Sequence, residues 1–176
     1  MIGESASFLE MQEHISHVAP LNKPVLFVGE RGTGKELVAA RLHYLSQRWE
    51  QTFLKINCAA MSETLLEAQL FGHEAGAYTG ATKQRKGFFE RAHGGTLFLD
   101  ELANTAMAVQ EKILRVIEYG EFERLGGNET LTVDVRIVAA TNEDLPDLAS
   151  QGRFREDLLD RLAFDVVTLP PLRERA

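Results

Sequence analysis

Val25-Leu26-Phe27-Val28-Gly29-Glu30-Arg31-Gly32-Thr33-Gly34-Lys35-Glu36 is the stretch from which the fold follows. Its first four residues form a continuous apolar run, the pattern of a short strand buried on both faces. After the glycine-rich turn, Glu36-Leu37-Val38-Ala39-Ala40-Arg41-Leu42 reads as a helix. Strand, glycine-rich turn, Gly-Lys and helix start make a phosphate-binding P-loop. The glycines let successive backbone N–H groups converge on one anion, the helix N-terminus adds partial positive charge, and Lys35 reaches the β- and γ-phosphates. The residue after the lysine is ordinarily Ser or Thr, whose hydroxyl ligates Mg²⁺. Here it is Glu36, which must face away from the phosphates or meet the metal through water.

The second half of the nucleotide site comes later. Gly94-Gly95 breaks the chain, and Thr96-Leu97-Phe98-Leu99 forms another buried strand ending in Asp100-Glu101. Two acids in an apolar core would be costly, but at the C-terminal edge of a parallel sheet they face the ligand crevice. Asp100 can hold the Mg²⁺ shell, and Glu101 can polarise a water for in-line attack on the γ-phosphate. The pair reads as an ATP hydrolysis site.

Between these halves lies Gly76-Ala77-Tyr78-Thr79-Gly80-Ala81. Two glycines and three small residues make poor core and weaken any regular element. The one aromatic ring, Tyr78, is then an exposed apolar group wanting a partner. A surface turn whose tyrosine folds back on its own domain is the plain alternative; the flanking nucleotide motifs favour exposure. Ser62 can cap a helix carrying Leu65, Leu66, Gln69 and Leu70 into the loop, and Phe88-Phe89-Glu90-Arg91 leads back.

Together GERGTGKE, FGHEAGAYTGA, GGTLFLDE, AATN and FREDLLDRL resemble the AAA+ domain of bacterial enhancer-binding proteins, the ATPases that activate RNA polymerase carrying the sigma-54 factor. The likeness runs from about Ile2 to Arg175. The GAYTGA loop is its most specific part, with Tyr78 where the family usually has phenylalanine; Glu36 after the lysine is the family's own spelling. The resemblance implies an α/β P-loop NTPase (AAA+) fold, three layers with a five-stranded parallel sheet. ATP would bind at Gly29, Glu30, Arg31, Gly32, Thr33, Gly34, Lys35 and Glu36, with Mg²⁺ on Asp100. It likens Asn142, beside Thr141, to the γ-phosphate sensor, and Asn57 to the switch residue that hydrogen-bonds Glu101. Arg155 and Arg161 resemble arginine fingers acting in trans on a neighbouring subunit's nucleotide. The Gly76–Ala81 loop would engage the sigma-54 factor of the RNA polymerase holoenzyme from a homo-hexameric ring, subject to a possible negative regulator protein. Residues 1–170 would be the α/β subdomain and 171–176 the start of a linker to a helical lid. That lid and the DNA-binding domain are expected outside this sequence.

Composition agrees with one domain of ordinary size. With 26 Asp+Glu against 19 Lys+Arg, the chain is ill-suited to broad DNA-backbone binding. Lys83, Arg85 and Lys86 form the one basic cluster, on the loop's return limb. A single cysteine, Cys58, reads as a small packed residue and excludes an internal disulfide framework, which suits the cytoplasm. No stretch has the length or purity of a membrane span.

The remaining expectations are structural. Phe8, Met11, Ile15 and Val18 mark an opening helix, on which His14 and His17 read as solvated. Ala106 to Tyr119 is amphipathic, with Val109, Ile113, Val116 and Ile117 inward and Glu111 paired with Arg115. Gly126-Gly127-Asn128 turns a hairpin between Phe122–Leu125 and Thr130–Val133, resembling the family's second pore-side loop. Strands are expected at Val135–Ala140 and Asp165–Leu169. Residues six apart do not share one helix face, so Arg155 should precede the helix that carries Arg161. Asp157 and Arg161 are spaced for an ion pair. A different P-loop machine, such as a helicase loader or unfoldase, and a non-catalytic binding module remain the alternatives.

Overall fold

The computed structural model describes residues 5–174; residues 1–4 and 175–176, the ends of the expected domain and linker, lie outside the described residues. The strands are β1 (Val25–Val28), β2 (Phe53–Asn57), β3 (Thr96–Asp100), β4 (Glu121–Phe122), β5 (Leu131–Thr132), β6 (Arg136–Thr141) and β7 (Val166–Thr168). The helices are α1 (Ala6–Val18), α2 (Lys35–Tyr44), α3 (Glu63–Phe71), α4 (Phe88–Arg91), α5 (Met107–Tyr119), α6 (Leu145–Ser150) and α7 (Glu156–Leu162).

Five strands form one sheet in the order β2-β3-β6-β1-β7, every pairing parallel, while β4 and β5 make a separate antiparallel hairpin. The apolar runs are explained by what covers them. Leu26, Leu97, Leu99, Ile137 and Ala139 point into a core with α3, α4, α5, α6 and α7, whereas Val25, Phe27, Phe98, Val138 and Ala140 pack under α1 and α2. Alternate residues thus face opposite sides, and both sides are dry, so no polar alternation is possible. The result is the expected three-layer α/β/α P-loop NTPase architecture.

Local chemistry sets the helix starts. Ser5 accepts the Phe8 N–H, Ser62 that of Leu65, and Asp144 that of Asp147. At the other end of α1, the buried Arg136 guanidinium donates to the carbonyls of Val18 (2.9 Å), Ala19 (2.7 Å) and Lys23 (3.0 Å). It ties α1 and the approach to β1 onto the N-terminal rim of the sheet.

Several local expectations change. Arg115 pairs with Glu121 and Glu123 of the hairpin rather than with Glu111. Arg161 reaches Glu118 on α5, and Asp157 is taken by Arg155 instead. In both cases a partner brought close by folding displaces the i,i+4 neighbour. His14 is not simply solvated: its Nε2 lies 2.6 Å from Asp165. The hairpin ladder is shorter than expected because Leu125 is drawn aside, donating to Gly72 O at 2.9 Å and accepting from Glu74 N at 3.0 Å. Cys58 is buried as expected, its thiol pushed up to about 12 by burial.

Candidate nucleotide site and partner loop

Parallel register brings the C-terminal strand ends to one rim. Val28 lies opposite Thr141 and Asn57 opposite Asp100, and Gly29 N donates to Thr141 O at 3.2 Å. The sequence-predicted groups therefore meet from four different strands, as ligand crevices of open parallel sheets do.

The phosphate loop closes on its own lysine. Lys35 Nζ donates to Gly29 O (2.9 Å) and Glu30 O (2.8 Å), and Thr33 Oγ1 donates to Glu30 O (2.7 Å). Partial burial lowers the Lys35 pKa, opposed by the charges of Asp100 and Glu101. Gly34 caps α2 at φ 85°, a left-handed value that only glycine adopts freely. Arg31 is exposed. Glu36 is exposed and accepts a hydrogen bond from Lys55 on β2, which supplies a counter-charge, although its carboxylate still bears on Asp100. Glu30 is held by both Arg173 nitrogens, at 2.9 and 3.0 Å, and this bonding lowers its carboxyl pKa. Arg173 belongs to a short 3₁₀ turn after the two prolines, and sequence spacing gave no sign of this contact. Beside Leu169, which flanks Gly29, a groove of about 430 Å³ runs between α1 and the segment after β7.

Asp100 ends β3 with Oδ1 accepting the Glu101 N–H at 2.9 Å. Burial raises its carboxyl pKa above the usual range, with Lys35 pulling the other way. Glu101 adopts φ 53°, ψ 51°, the one positive φ outside glycine among the described residues. Such a conformation costs about 1–2 kcal/mol and is held only where surrounding structure imposes it. No hydrogen bond joins Asn57 to Glu101. Asn57 Oδ1 accepts the Ala59 N–H at 2.9 Å, a local turn at the strand end. Thr141 is fully buried and accepts the Glu143 N–H (2.9 Å), whereas Asn142 is exposed and lines a cavity of about 660 Å³. A magnesium ion fits this donor set. Mg²⁺ takes one or two carboxylates plus substrate phosphates, and Asp100 supplies a half-buried hard oxygen beside the Lys35 charge.

Arg155 stands at the N-cap of α7, before the helix as expected, with its guanidinium on Asp157 at 2.8 and 3.0 Å. Arg161 lies in α7 with Nε 3.2 Å from Glu118. Neither touches the phosphate loop, Asp100 or Glu101 within this chain, so folding does not bring them into the site.

The GAYTGA segment lies between α3 and α4. Gly72 and Gly87 form its neck, where the two limbs touch backbone to backbone; a Cβ on Gly87 would sit 2.3 Å from Gly72 N. Above the neck His73 and Arg85 exchange both backbone hydrogen bonds (3.0 and 2.9 Å). The tip closes on itself, with Gly76 N to Ala81 O at 2.6 Å and Ala81 N to Tyr78 O at 3.0 Å. Exposure of Tyr78 is a corrected expectation: the ring is half-buried and meets the His73 ring edge-to-face at 5.1 Å. The plain alternative describes this conformation. The hairpin braces the loop, for Gly126 abuts Ala77, and Arg124 donates twice to Glu90 (2.8 and 2.9 Å) and once to Glu74 (3.1 Å). Arg124 was invisible in the sequence because its partners lie 34 and 50 residues away. Lys83, Arg85 and Lys86 are exposed and make no ion pair among the described residues.

Comparison with known proteins agrees with this architecture. The model of the sigma-54 interaction domain matches residues 1–168. The Psp operon transcriptional activator of Escherichia coli (strain K12) is 67% identical over 175 residues, 99% of this chain and 54% of that protein. The Nif-specific regulatory protein of Azotobacter vinelandii is 54% identical over 99% of this chain and 34% of its own length. This chain thus spans about half of the first relative and a third of the second. The crystal structure of NtrX from Brucella abortus in complex with ATP superposes with a TM-score of 0.90 at 38% identity, covering 99% of this chain and 39% of that one.

Proposed function

As the chain belongs to the sigma-54 interaction domain family, we propose that it is the AAA+ ATPase domain of a sigma-54-dependent transcriptional activator, working in the cytoplasm as a homo-hexameric ring. The observation that carries this reading is the shared rim: the phosphate loop, Asp100-Glu101 and Asn142 converge there. In this reading residues 1–170 are the α/β subdomain and 171–176 begin the linker to a lid.

ATP binding exchanges the Lys35 contacts with Gly29 O and Glu30 O for the β- and γ-phosphates. Asp100 would hold Mg²⁺, which when bound supplies charge neutralisation across the phosphate oxygens. Glu101, whose side chain makes no hydrogen bond among the described residues, orients the attacking water and takes its proton. Asn142 reports the γ-phosphate from the neighbouring strand. Asn57 acts by leaving its turn with Ala59 and restraining Glu101. Arg155 and Arg161 of an adjacent subunit stabilise charge on the transferring phosphoryl group. The nucleotide state then sets how far the Gly76–Ala81 loop rises toward sigma-54 and RNA polymerase.

Lys35→Ala should abolish nucleotide binding. Tyr78→Ala should leave ATP turnover within about twofold, as for a residue outside the chemistry, and lose sigma-54 binding in a pull-down with an ATP transition-state analogue. Equal loss of turnover in both variants would make the loop part of the catalytic site and end this reading.

A further inference from the structure

We infer that His73 is the dock on which the loop parks its aromatic tip, and that leaving His73 is the step that presents Tyr78 to a partner. This rests on reading residues 76–81 as the partner-binding loop. His73 is only 7% exposed and stands where three segments cross. Its N–H and carbonyl are both bonded to Arg85 on the return limb. The flanking Gly72 O and Glu74 N are both bonded to Leu125 on the hairpin. Its Nδ1 donates to Glu74 O at 3.3 Å, which orients the ring. The Tyr78 ring then lies 5.1 Å away at 76°.

The Tyr78 hydroxyl makes no hydrogen bond within the described residues, so the side chain is retained by this ring contact. Such a pair biases a two-state equilibrium by a factor of about 2 to 12. That is enough to favour the parked tip and weak enough to be overcome by a partner. The dock is also coupled to the hairpin. Leu125 is bonded on either side of His73, so a shift of the hairpin carries the imidazole with it, away from or under the tyrosine. His73 is a positioning residue here, distinct from any group that touches nucleotide.

The test uses the single tryptophan. With Trp49→Phe and Tyr78→Trp combined, indole fluorescence of the 176-residue chain reports the tip alone. In that background His73→Ala should raise the acrylamide quenching constant, with the docked population falling about 2- to 12-fold. His73→Phe, which restores a ring, should return quenching toward the His73 value, and far-UV circular dichroism checks that both variants fold. Unchanged quenching in His73→Ala, or His73→Phe as open as His73→Ala, overturns the dock. Sigma-54 binding by His73→Ala with Tyr78 intact is read separately. Tighter binding supports release as the presenting step; a freed tip that binds no sigma-54 removes the partner reading and leaves the quenching result standing.

Discussion

Asp100 is held in a state that suits its task better than it suits the fold. Burial raises its carboxyl pKa above the unfolded value of 3.8. The folded chain therefore binds this proton more tightly than the unfolded one. The associated stability is full below 3.8 and is lost as pH rises through the elevated value. Asp100→Asn keeps an oxygen to accept the Glu101 N–H and carries no charge at any pH. It should raise Tm at pH 7 by about 1–5 °C while removing magnesium-dependent ATP turnover. Scanning calorimetry from pH 7 downward should show the gain shrink toward pH 3.8; an equal gain at all pH values would exclude ionisation as the cause. Single residues also mark the limit of sequence reading. Lys35, Asp100 and Glu101 were legible because strand, turn and helix signals surround them. Lys55, which neutralises Glu36, and Arg173, which grips Glu30, carry no local signal, since their roles arise only when distant segments meet.

Among the elements, the loop neck constrains most. Limbs that touch through Gly72 and Gly87 leave no room for a side chain, and the atoms in the way are backbone. Gly87→Ala should destabilise the chain by about 1–3 kcal/mol, as overpacking does, and speed amide exchange of Gly76, whose bond to Ala81 O closes the tip. Urea denaturation and hydrogen exchange test this; an unchanged midpoint would show that the limbs part freely. The helices flanking the loop were readable from Ser62 and the apolar spacing around it. The hairpin was readable as a hairpin from its glycines, yet its strands came out short because Leu125 serves the loop instead. Long-range bonding outcompeted local turn chemistry, and no pattern in residues 121–133 announces that.

At the scale of the whole molecule, the three-layer fold was legible because its three central strands, β3, β6 and β1, are buried on both faces, leaving apolar runs too continuous to be surface. Assembly was not. Arg155 and Arg161 are paired with Asp157 and Glu118 and reach no phosphate-binding group in their own chain. Their proposed role requires a second copy. Lys35→Ala and Arg161→Ala proteins, each inactive alone, should regain about a quarter of wild-type turnover when mixed equally, the share of head-to-tail contacts with both parts intact. Phosphate release measures this, and a mixture no better than its components would confine Arg161 to its structural pairing with Glu118. One last consequence follows from Arg136, whose guanidinium rivets the end of α1 and the lead into β1 to the far side of the sheet. That side serves as a fulcrum. The hairpin that braces the loop springs from that same margin, Val133 and Asp134 leading directly into Arg136, so the tyrosine tip has a fixed footing from which to move.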